Sequence, residues 1–209
     1  MPSARVEELI AALPATLGDD ARGGLRNVFD IPAVRDLARD PVIRDAAEAL
    51  LGSECFAARA ILFDKTPSAN WKVAWHQDLT IAVADRRDVP GFGPWSVKAG
   101  VIHVQPPREI LERMVAVRVH LDPCGVENGP VRVLAGSHRN GKLGADAVAQ
   151  YRRRVEEVAC IVPRGGLLLM RPLLLHASSP ATTSDHRRVL HLEFASGLLP
   201  EGLAWRWQV

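Results

Sequence analysis

Residues 114–121, MVAVRVHL, and residues 188–195, RVLHLEFA, are short apolar segments rich in β-branched side chains. Such segments are typical of strands that are buried on at least one face. Seven further segments of this kind follow the first quarter of the chain: FAARAILF (56–63), WKVAWHQDLTIAV (71–83), VKAGVIHVQ (97–105), PVRVLAG (130–136), VACIV (158–162), GLLLM (166–170) and LLLHA (173–177). Turns rich in glycine and proline separate them, so the sequence predicts a mainly β chain folded as an antiparallel sandwich or barrel.

The first 52 residues have a different periodicity, and we expect this part to be helical. Apolar residues recur at the spacing of one helix face between Val6 and Leu13, and Pro14 ends the run. A second amphipathic stripe, residues 43–50, follows Asp40-Pro41, where the aspartate can cap the helix start. The spacing predicts one further helix near residues 144–157.

Length and composition indicate one globular domain over residues 1–209, with a helical part at 1–52 and a β core at 53–209. The 26 basic and 24 acidic residues give a net charge of +2, which argues against a nucleic-acid binder. No apolar run approaches the roughly 20 residues of a membrane span. The three scattered cysteines indicate free thiols in a reducing compartment, so we expect a cytoplasmic protein.

The sequence Trp75-His76-Gln77-Asp78 lies inside a predicted strand. Side chains alternate along a strand, so His76 and Asp78 would share one face and Gln77 would take the other. An imidazole and a carboxylate on one face can bind a divalent metal, and a third ligand would complete the facial triad of non-haem Fe(II) oxygenases. Two polar residues at this spacing are also common on exposed strands, so this motif alone leaves both interpretations open.

A second histidine, His176, ends the apolar run Leu173-Leu174-Leu175. It fits either a third metal ligand or a core histidine bonded to the backbone. Eleven residues later, Arg187 opens the last predicted strand, where a guanidinium can bind a dicarboxylate through two parallel hydrogen bonds. Ser178 shares the face of His176 if that strand continues, and its hydroxyl can donate to the same carboxylate.

Together these elements resemble the phytanoyl-CoA dioxygenase-like family of Fe(II)- and 2-oxoglutarate-dependent oxygenases. The resemblance is carried by His76-Gln77-Asp78, Asn128-Gly129-Pro130, Gly136-Ser137-His138, and His176-Ala177-Ser178 with Arg187 after it. It covers most of the chain, residues 50–196. It implies a double-stranded β-helix core, a jelly roll of the cupin type, preceded by helices.

The resemblance also implies roles for single residues. His76, Asp78 and His176 would be the ligands of Fe(II), and Arg187 and Ser178 would bind the far carboxylate of 2-oxoglutarate. The implied reaction consumes molecular oxygen and hydroxylates a small-molecule substrate. Halogenating relatives have a small residue in place of the carboxylate ligand, so the presence of Asp78 favours hydroxylation over halogenation.

Where some relatives carry an aromatic residue near the cosubstrate, this chain has Val117-Arg118-Val119-His120. Arg118 and His120 share one strand face, so either is a candidate for contact with 2-oxoglutarate or substrate. Four more residues are candidates for contact with cosubstrate, substrate or solvent: Arg59, Lys65, His103 and Gln105. The basic side chains among these candidates favour an anionic substrate.

Arg187 and Arg188 open the same strand, and only one of them can point into the barrel. Leu190, Leu192 and Phe194 share a face with Arg188, so burial alone would turn Arg188 inward. The family spacing turns Arg187 inward instead, provided that the apolar face packs against helices outside the sheet. We predict the second arrangement.

Two other functions fit the same residues. One is a cupin-like metal-binding protein, an isomerase or a small-molecule-binding module, that does not use 2-oxoglutarate; Arg187 at the strand start argues against it. The other is a non-catalytic member that binds a ligand at a degenerate site, and the complete set of three metal-ligand residues argues against it.

Overall fold

The structure, a computed structural model, describes residues 1–14, 24–67, 69–183 and 186–209. Within these residues it contains five α-helices: α1 (Ser3–Ala12), α2 (Pro32–Ala38), α3 (Pro41–Leu51), α4 (Arg108–Glu112) and α5 (Ala145–Arg154). The same residues form twelve strands: β1 (Leu25–Arg26), β2 (Phe56–Lys65), β3 (Val73–His76), β4 (Ile81–Val83), β5 (Trp95–Lys98), β6 (Val101–Val104), β7 (Met114–His120), β8 (Val131–Leu134), β9 (Glu157–Ala159), β10 (Leu167–Met170), β11 (His176–Ser178) and β12 (Arg187–Ala195).

The strands form three antiparallel sheets. The largest has the order β1-β2-β12-β7-β10, the second β3-β11-β8-β9, and the third β4-β6-β5. Residues from all three sheets line one cavity of about 550 Å³ between them. This is a jelly-roll architecture, and the predicted mainly β class is confirmed.

The largest sheet separates an apolar core from this cavity. On β12, Leu190, Leu192 and Phe194 face outward and are buried against the helices α1, α2 and α3. The alternate residues, among them Arg187 and His191, face the cavity. Since alternate residues of a strand point to opposite faces, the apolar face packs against the helices outside the barrel and the polar face lines the cavity.

The N-terminal helices begin and end where their sequence indicates. The Asp40 side chain accepts a hydrogen bond of 2.9 Å from the Val42 amide at the start of α3, and Pro41 occupies the first turn. Gly52, with φ of 87°, ends this helix. No helix in the described residues is long and apolar enough to cross a membrane.

Several predicted boundaries were wrong. The segment 71–83 is two strands in different sheets, because the chain leaves β3 after His76 and joins the β6 edge as β4. The predicted helix at 144–157 ends at Arg154, and residues 157–159 pair with β8 instead, where Arg132 and Glu157 form an ion pair of 2.5 Å. Helix α4 and strand β1 were not expected. Residues 15–23 of the predicted helical part lie outside the described residues.

Candidate metal centre

Two strands of the second sheet bring the two histidines together. His76 is the last residue of β3 and His176 the first of β11, and they are directly opposite each other in the antiparallel pair. Their ring centroids are 4.2 Å apart. Asp78 lies two residues beyond the end of β3, not within the strand as its spacing predicted. It nevertheless joins the histidines, and one ligand atom from each of the three lies within 4.8 Å of the others.

The distances within this group suit a shared metal ion better than a hydrogen bond. His76 Nε2 is 3.7 Å from Asp78 Oδ1, and His176 Nε2 is 3.6 Å from Asp78 Oδ2. These separations are too long for hydrogen bonds. Two ligand atoms that each lie about 2.1 Å from one metal are separated by about 3.0–3.6 Å at the usual ligand angles. The two measured separations lie at or just above this range, and all three ligand atoms lie within 4.8 Å of one another, so the side chains can hold one metal ion after a small adjustment.

Hydrogen bonds to the backbone fix the tautomer of both histidines. His76 Nδ1 is 2.9 Å from the Ala74 carbonyl oxygen, and His176 Nδ1 is 2.8 Å from that of Leu174. A carbonyl oxygen only accepts, so each Nδ1 carries the hydrogen and donates it. Each Nε2 of a neutral ring then has a free lone pair directed at the group, as a metal ligand requires.

Electrostatics favours the same charge states. Burial lowers the pKa of His176 to about 4 despite the attraction of Asp78, so its ring is neutral at pH 7. Burial would raise the pKa of Asp78, but the charge of Arg59 and of the neighbouring histidines His176, His191 and His76 when protonated holds it well below its usual range. Two imidazole nitrogens and one carboxylate make a donor set that fits Fe(II) and leaves positions open for other ligands.

Gln77 fixes the loop that carries Asp78. Its Nε2 donates to the carbonyl oxygens of Gly141 and Leu173 at 2.8 and 2.6 Å, and its Oε1 accepts from the Leu143 amide at 2.8 Å. The Asp78 amide donates to the Pro172 carbonyl at 2.9 Å. The Gln77 side chain thus fixes the position of Asp78 relative to the loop that precedes His176, the first residue of β11.

One end of the cavity is strongly basic. Arg187 lines it and is almost completely buried, with one guanidinium nitrogen donating to the Gly129 carbonyl at 3.0 Å. Gly129 has a φ of 60°, and a Cβ there would collide with the Ser179 carbonyl oxygen. Lys65 is fully buried and donates to Ser178 Oγ at 3.2 Å and to the Ser179 carbonyl. The structure therefore brings Arg187, Ser178 and Lys65 to one place.

A buried chain of polar contacts crosses the floor of the cavity. Arg118 donates to His191 Nδ1 at 3.0 Å, which leaves the His191 hydrogen on Nε2, 3.2 Å from Glu193 Oε1. Glu193 also forms a buried ion pair with Arg59. Burial lowers the pKa of Arg118 to about 10, and the charge of Arg187 contributes, so Arg118 remains protonated at pH 7.

These contacts decide whether a second group of residues could bind a metal. Asp78, His191 and Glu193 also lie close enough together to be considered as a metal site. Arg118 donates to one His191 nitrogen, the other nitrogen carries its hydrogen toward Glu193 Oε1, and the same Oε1 pairs with Arg59. His191 therefore has no free lone pair for a metal, so this second group is not a complete ligand set.

The remaining predicted residues divide between cavity and surroundings. Arg59 and Arg118 line the cavity. His120 is buried behind Arg118, and burial together with Arg118 and Arg187 lowers its pKa to about 3. His103 is buried beside the cavity without lining it, and Gln105 lies away from it. Arg188 points to the other face of its sheet, where it pairs with Asp122 at 2.8 Å.

Sequence reasoning missed three residues of the cavity region. Glu193 shares the strand face of Arg187, but its partner Arg59 lies 134 positions away. Arg26 and Lys98 line the cavity and were not considered as site residues at all. Neither belongs to a recognisable motif, and each ends a short strand that gives no sign of a binding site in the sequence.

Comparison with known protein families identifies the fold family of the chain. The profile described as phytanoyl-CoA dioxygenase (PhyH) matches residues 17–189. No curated protein sequence matches the chain.

Solved structures with the same fold include three whose names indicate their chemistry or origin. SnoN, a non-haem α-ketoglutarate-dependent epimerase from nogalamycin biosynthesis, is 17% identical with a TM-score of 0.69, over 99% of this chain and 76% of SnoN. EctD from S. alaskensis, with 2-oxoglutarate and 5-hydroxyectoine, is 22% identical with a TM-score of 0.66, over 93% and 66%. AviO1 from Streptomyces viridochromogenes Tue57 is 23% identical with a TM-score of 0.64, over 95% and 86%. At these identities the similarity establishes the fold.

Proposed function

The chain belongs to the phytanoyl-CoA dioxygenase family, and on this premise we propose that it is an Fe(II)- and 2-oxoglutarate-dependent oxygenase that hydroxylates a small molecule. One observation carries the proposal: the His76, Asp78 and His176 group and the buried Arg187 guanidinium line the same cavity. We further propose that residues 1–209 form one domain, with the jelly-roll core at 53–209.

In this proposal His76, Asp78 and His176 hold Fe(II) through two Nε2 atoms and a carboxylate oxygen. When bound, the iron supplies the activation of oxygen that is coupled to the conversion of 2-oxoglutarate into succinate and carbon dioxide. Arg187 binds the far carboxylate of 2-oxoglutarate by charge-assisted hydrogen bonds. Lys65 adds positive charge behind Ser178, whose hydroxyl donates to the same carboxylate.

Arg118 and Arg59 have different tasks in this scheme. Arg118 faces the cavity between the triad and Arg187, and its partner His191 holds the guanidinium in place. It therefore stabilises the negative charge of the cosubstrate. Arg59 is held by Glu193, so we assign it to the structure of the cavity floor and not to direct cosubstrate binding.

The proposed product is an alcohol. Asp78 keeps a carboxylate ligand in the triad, so no ligand position is free for chloride as it is in halogenating relatives. The same scaffold supports other outcomes, since SnoN is described as an epimerase. Product analysis is therefore part of the test.

The test starts with anaerobic titration of the purified protein with Fe(II) and then with 2-oxoglutarate, followed by succinate measurement in air with a compound library. We expect stoichiometric Fe(II) binding, 2-oxoglutarate binding that requires Fe(II), and succinate formation stimulated by the substrate, with one added oxygen atom in the product. Asp78→Ala should abolish all three, and His186→Gln, which removes a histidine outside the cavity, should not. Metal binding without any 2-oxoglutarate binding would favour the cupin-like alternative.

A further inference from the structure

A second basic group lies in the cavity and has no part in the proposed chemistry. Arg26 at the end of β1 and Lys98 at the end of β5 both line the cavity that contains the metal triad. Each is half-buried, so each presents its charge to the cavity from its wall. They belong to different sheets and are 72 residues apart in the sequence.

The fold holds these two cations together. Asn27, next to Arg26, donates from Nδ2 to the carbonyl oxygen of Ala99, next to Lys98, at 2.9 Å. The charge of Arg26 contributes to the lowered pKa of Lys98, after burial and the charge of Arg59. This influence of Arg26 on Lys98 indicates that the two charges are near one another.

Their charges are unbalanced within the described residues. Arg59 is paired with Glu193, but Arg26 and Lys98 form no ion pair with a described residue. Lys98 has a single hydroxyl partner, Thr80 Oγ1 at 2.8 Å, and Thr80 also lines the cavity. The buried Nε atoms of Arg26 and Arg59 have no hydrogen-bond partner within the described residues. Buried polar groups are normally paired, so this end of the cavity is arranged for a ligand with several acceptors.

This group is separated from Arg187 along strand β2. On β2, Lys65 is opposite Arg187, whereas Ile61 is opposite Arg26 of β1, and Phe63 lies between them on the cavity face. Four residues of strand correspond to about 13 Å. Asp78 of the triad is near enough to influence the pKa values of both Arg59 and Lys98. A molecule bound by Arg26 and Lys98 would therefore lie near the metal triad and apart from the cosubstrate clamp.

We propose that the substrate carries a carboxylate or phosphate group and that Arg26 and Lys98 bind this oxyanion. Arg26 supplies a guanidinium with a free Nε–H, and Lys98 supplies an ammonium already oriented by Thr80. This inference rests on the proposed function and names the class of substrate for that site. It replaces Arg59, Lys65 and Arg118 as the reason to expect an anionic substrate, because those three cations are occupied at the floor or at the cosubstrate end.

The test is calorimetric titration of the Fe(II)-loaded protein, kept anaerobic and saturated with 2-oxoglutarate. The probes are inorganic phosphate, acetate and the neutral isostere acetamide, at constant ionic strength. The variants are Arg26→Gln and Lys98→Gln, with Arg153→Gln on the exposed helix α5 as a control of equal charge change. We expect phosphate or acetate to bind and acetamide not to bind. Each cavity variant should weaken anion binding at least tenfold and change the 2-oxoglutarate affinity less than twofold.

The outcomes separate this inference from the proposed function. The preference between phosphate and acetate identifies the oxyanion. Absence of anion binding with 2-oxoglutarate in place would overturn the inference, as would variants that behave like Arg153→Gln. Equal weakening of 2-oxoglutarate by Arg26→Gln would overturn it too, since Arg26 would then belong to the cosubstrate end. A wild-type protein that does not bind 2-oxoglutarate would refute the proposed function alone, and the same titration without 2-oxoglutarate would still decide the anion site.

Discussion

Arg187 and Lys65 are directly opposite each other on the paired strands β12 and β2, and both cationic side chains are buried on the inner side of the sheet. Burial lowers the pKa of Lys65 to about 7, and the charge of Arg187 contributes to this shift. Their described partners are uncharged: the Gly129 and Ser179 carbonyls and the Ser178 hydroxyl. The buried Arg187 charge attracts an anionic ligand, and binding of that ligand would favour the protonated form of Lys65 beside it.

The first prediction compares Arg187 with its neighbour. Arg187→Ala should raise the 2-oxoglutarate concentration needed for half-saturation by about ten- to a hundred-fold, because a charge-assisted contact contributes about 1.5–3 kcal/mol. Arg188→Ala should leave that affinity nearly unchanged and lower the free energy of unfolding by about 1 kcal/mol through loss of the Asp122 pair. Anaerobic binding to the Fe(II)-loaded variants measures the first effect and denaturant unfolding the second. The reverse order of 2-oxoglutarate affinities would contradict the assignment.

The second prediction concerns the pH dependence that Lys65 gives to stability. Its pKa is about 7 in the folded protein against an ordinary 10.5, so between these values the unfolded state binds more protons. The free energy of unfolding should therefore rise with pH from about 7 towards 10.5, relative to a Lys65→Met variant that lacks this group. Denaturant unfolding of both proteins at several pH values measures the difference. An unchanging difference across this interval would mean that Lys65 stays protonated in the fold.

The third prediction concerns the metal ligands. His176→Ala should weaken Fe(II) or Co(II) binding by at least about a hundred-fold, since a residue that binds the metal directly contributes more than the ten- to hundred-fold of the residues that support it. His186→Ala is the matched control, because that histidine pairs with Asp64 outside the cavity. Anaerobic metal titration with a chelator competitor gives the two affinities. Equal affinities would place the metal elsewhere.

The fourth prediction concerns Gln77 as a positioning residue. Gln77→Leu removes three hydrogen bonds and leaves two carbonyls and one amide without that partner, so it should destabilise the fold by about 2–4 kcal/mol. Because Asp78 follows it directly, metal affinity should also fall by about ten- to a hundred-fold. Gln77→Glu can still accept from Leu143 but cannot donate to the carbonyls. Its metal affinity and stability should both be lower than those of the wild-type protein. A variant that loses stability while keeping full metal affinity would limit Gln77 to a structural role.

The fifth prediction concerns the ion pair on the cavity floor. Glu193→Gln leaves the Arg59 guanidinium buried without its carboxylate, which should cost about 3–5 kcal/mol of unfolding free energy. The double variant Arg59→Met/Glu193→Leu removes both charges and should recover a large part of that loss. The comparison of single and double variants by denaturant unfolding isolates the coupling. Additive losses would mean that the two side chains act independently.

Much of the fold followed from local patterns. The alternation on β12 predicted that Arg187 and Arg188 point to opposite sides, and the structure has this arrangement. The choice between the two sides needed the helices, because Leu190, Leu192 and Phe194 satisfy their burial outside the barrel only when α1, α2 and α3 cover that face. Periodicity describes which residues share a face but not what the face packs against.

The spacing of His76 and Asp78 correctly predicted that the two side chains lie together, but the reason given, a shared strand face, was only partly right. The sequence treated both as residues of one strand, whereas β3 ends at His76 and the Gln77 contacts direct the following loop. These contacts reach residues 64 and 96 positions away, so a local pattern does not contain them. The predicted strand over 71–83 was wrong for the same reason.

By itself the sequence determined the mainly β class, the helical start, the residue types able to bind a metal and the order in which they occur, since these depend on neighbours a few positions apart. Only the tertiary structure decided that His76 and His176 are opposite each other, that Glu193 neutralises Arg59, and that Arg26 and Lys98 line the same cavity. Each of these relationships joins residues 72 to 134 positions apart. Their distances are set by strand pairing between sheets, which depends on the packing of the whole core.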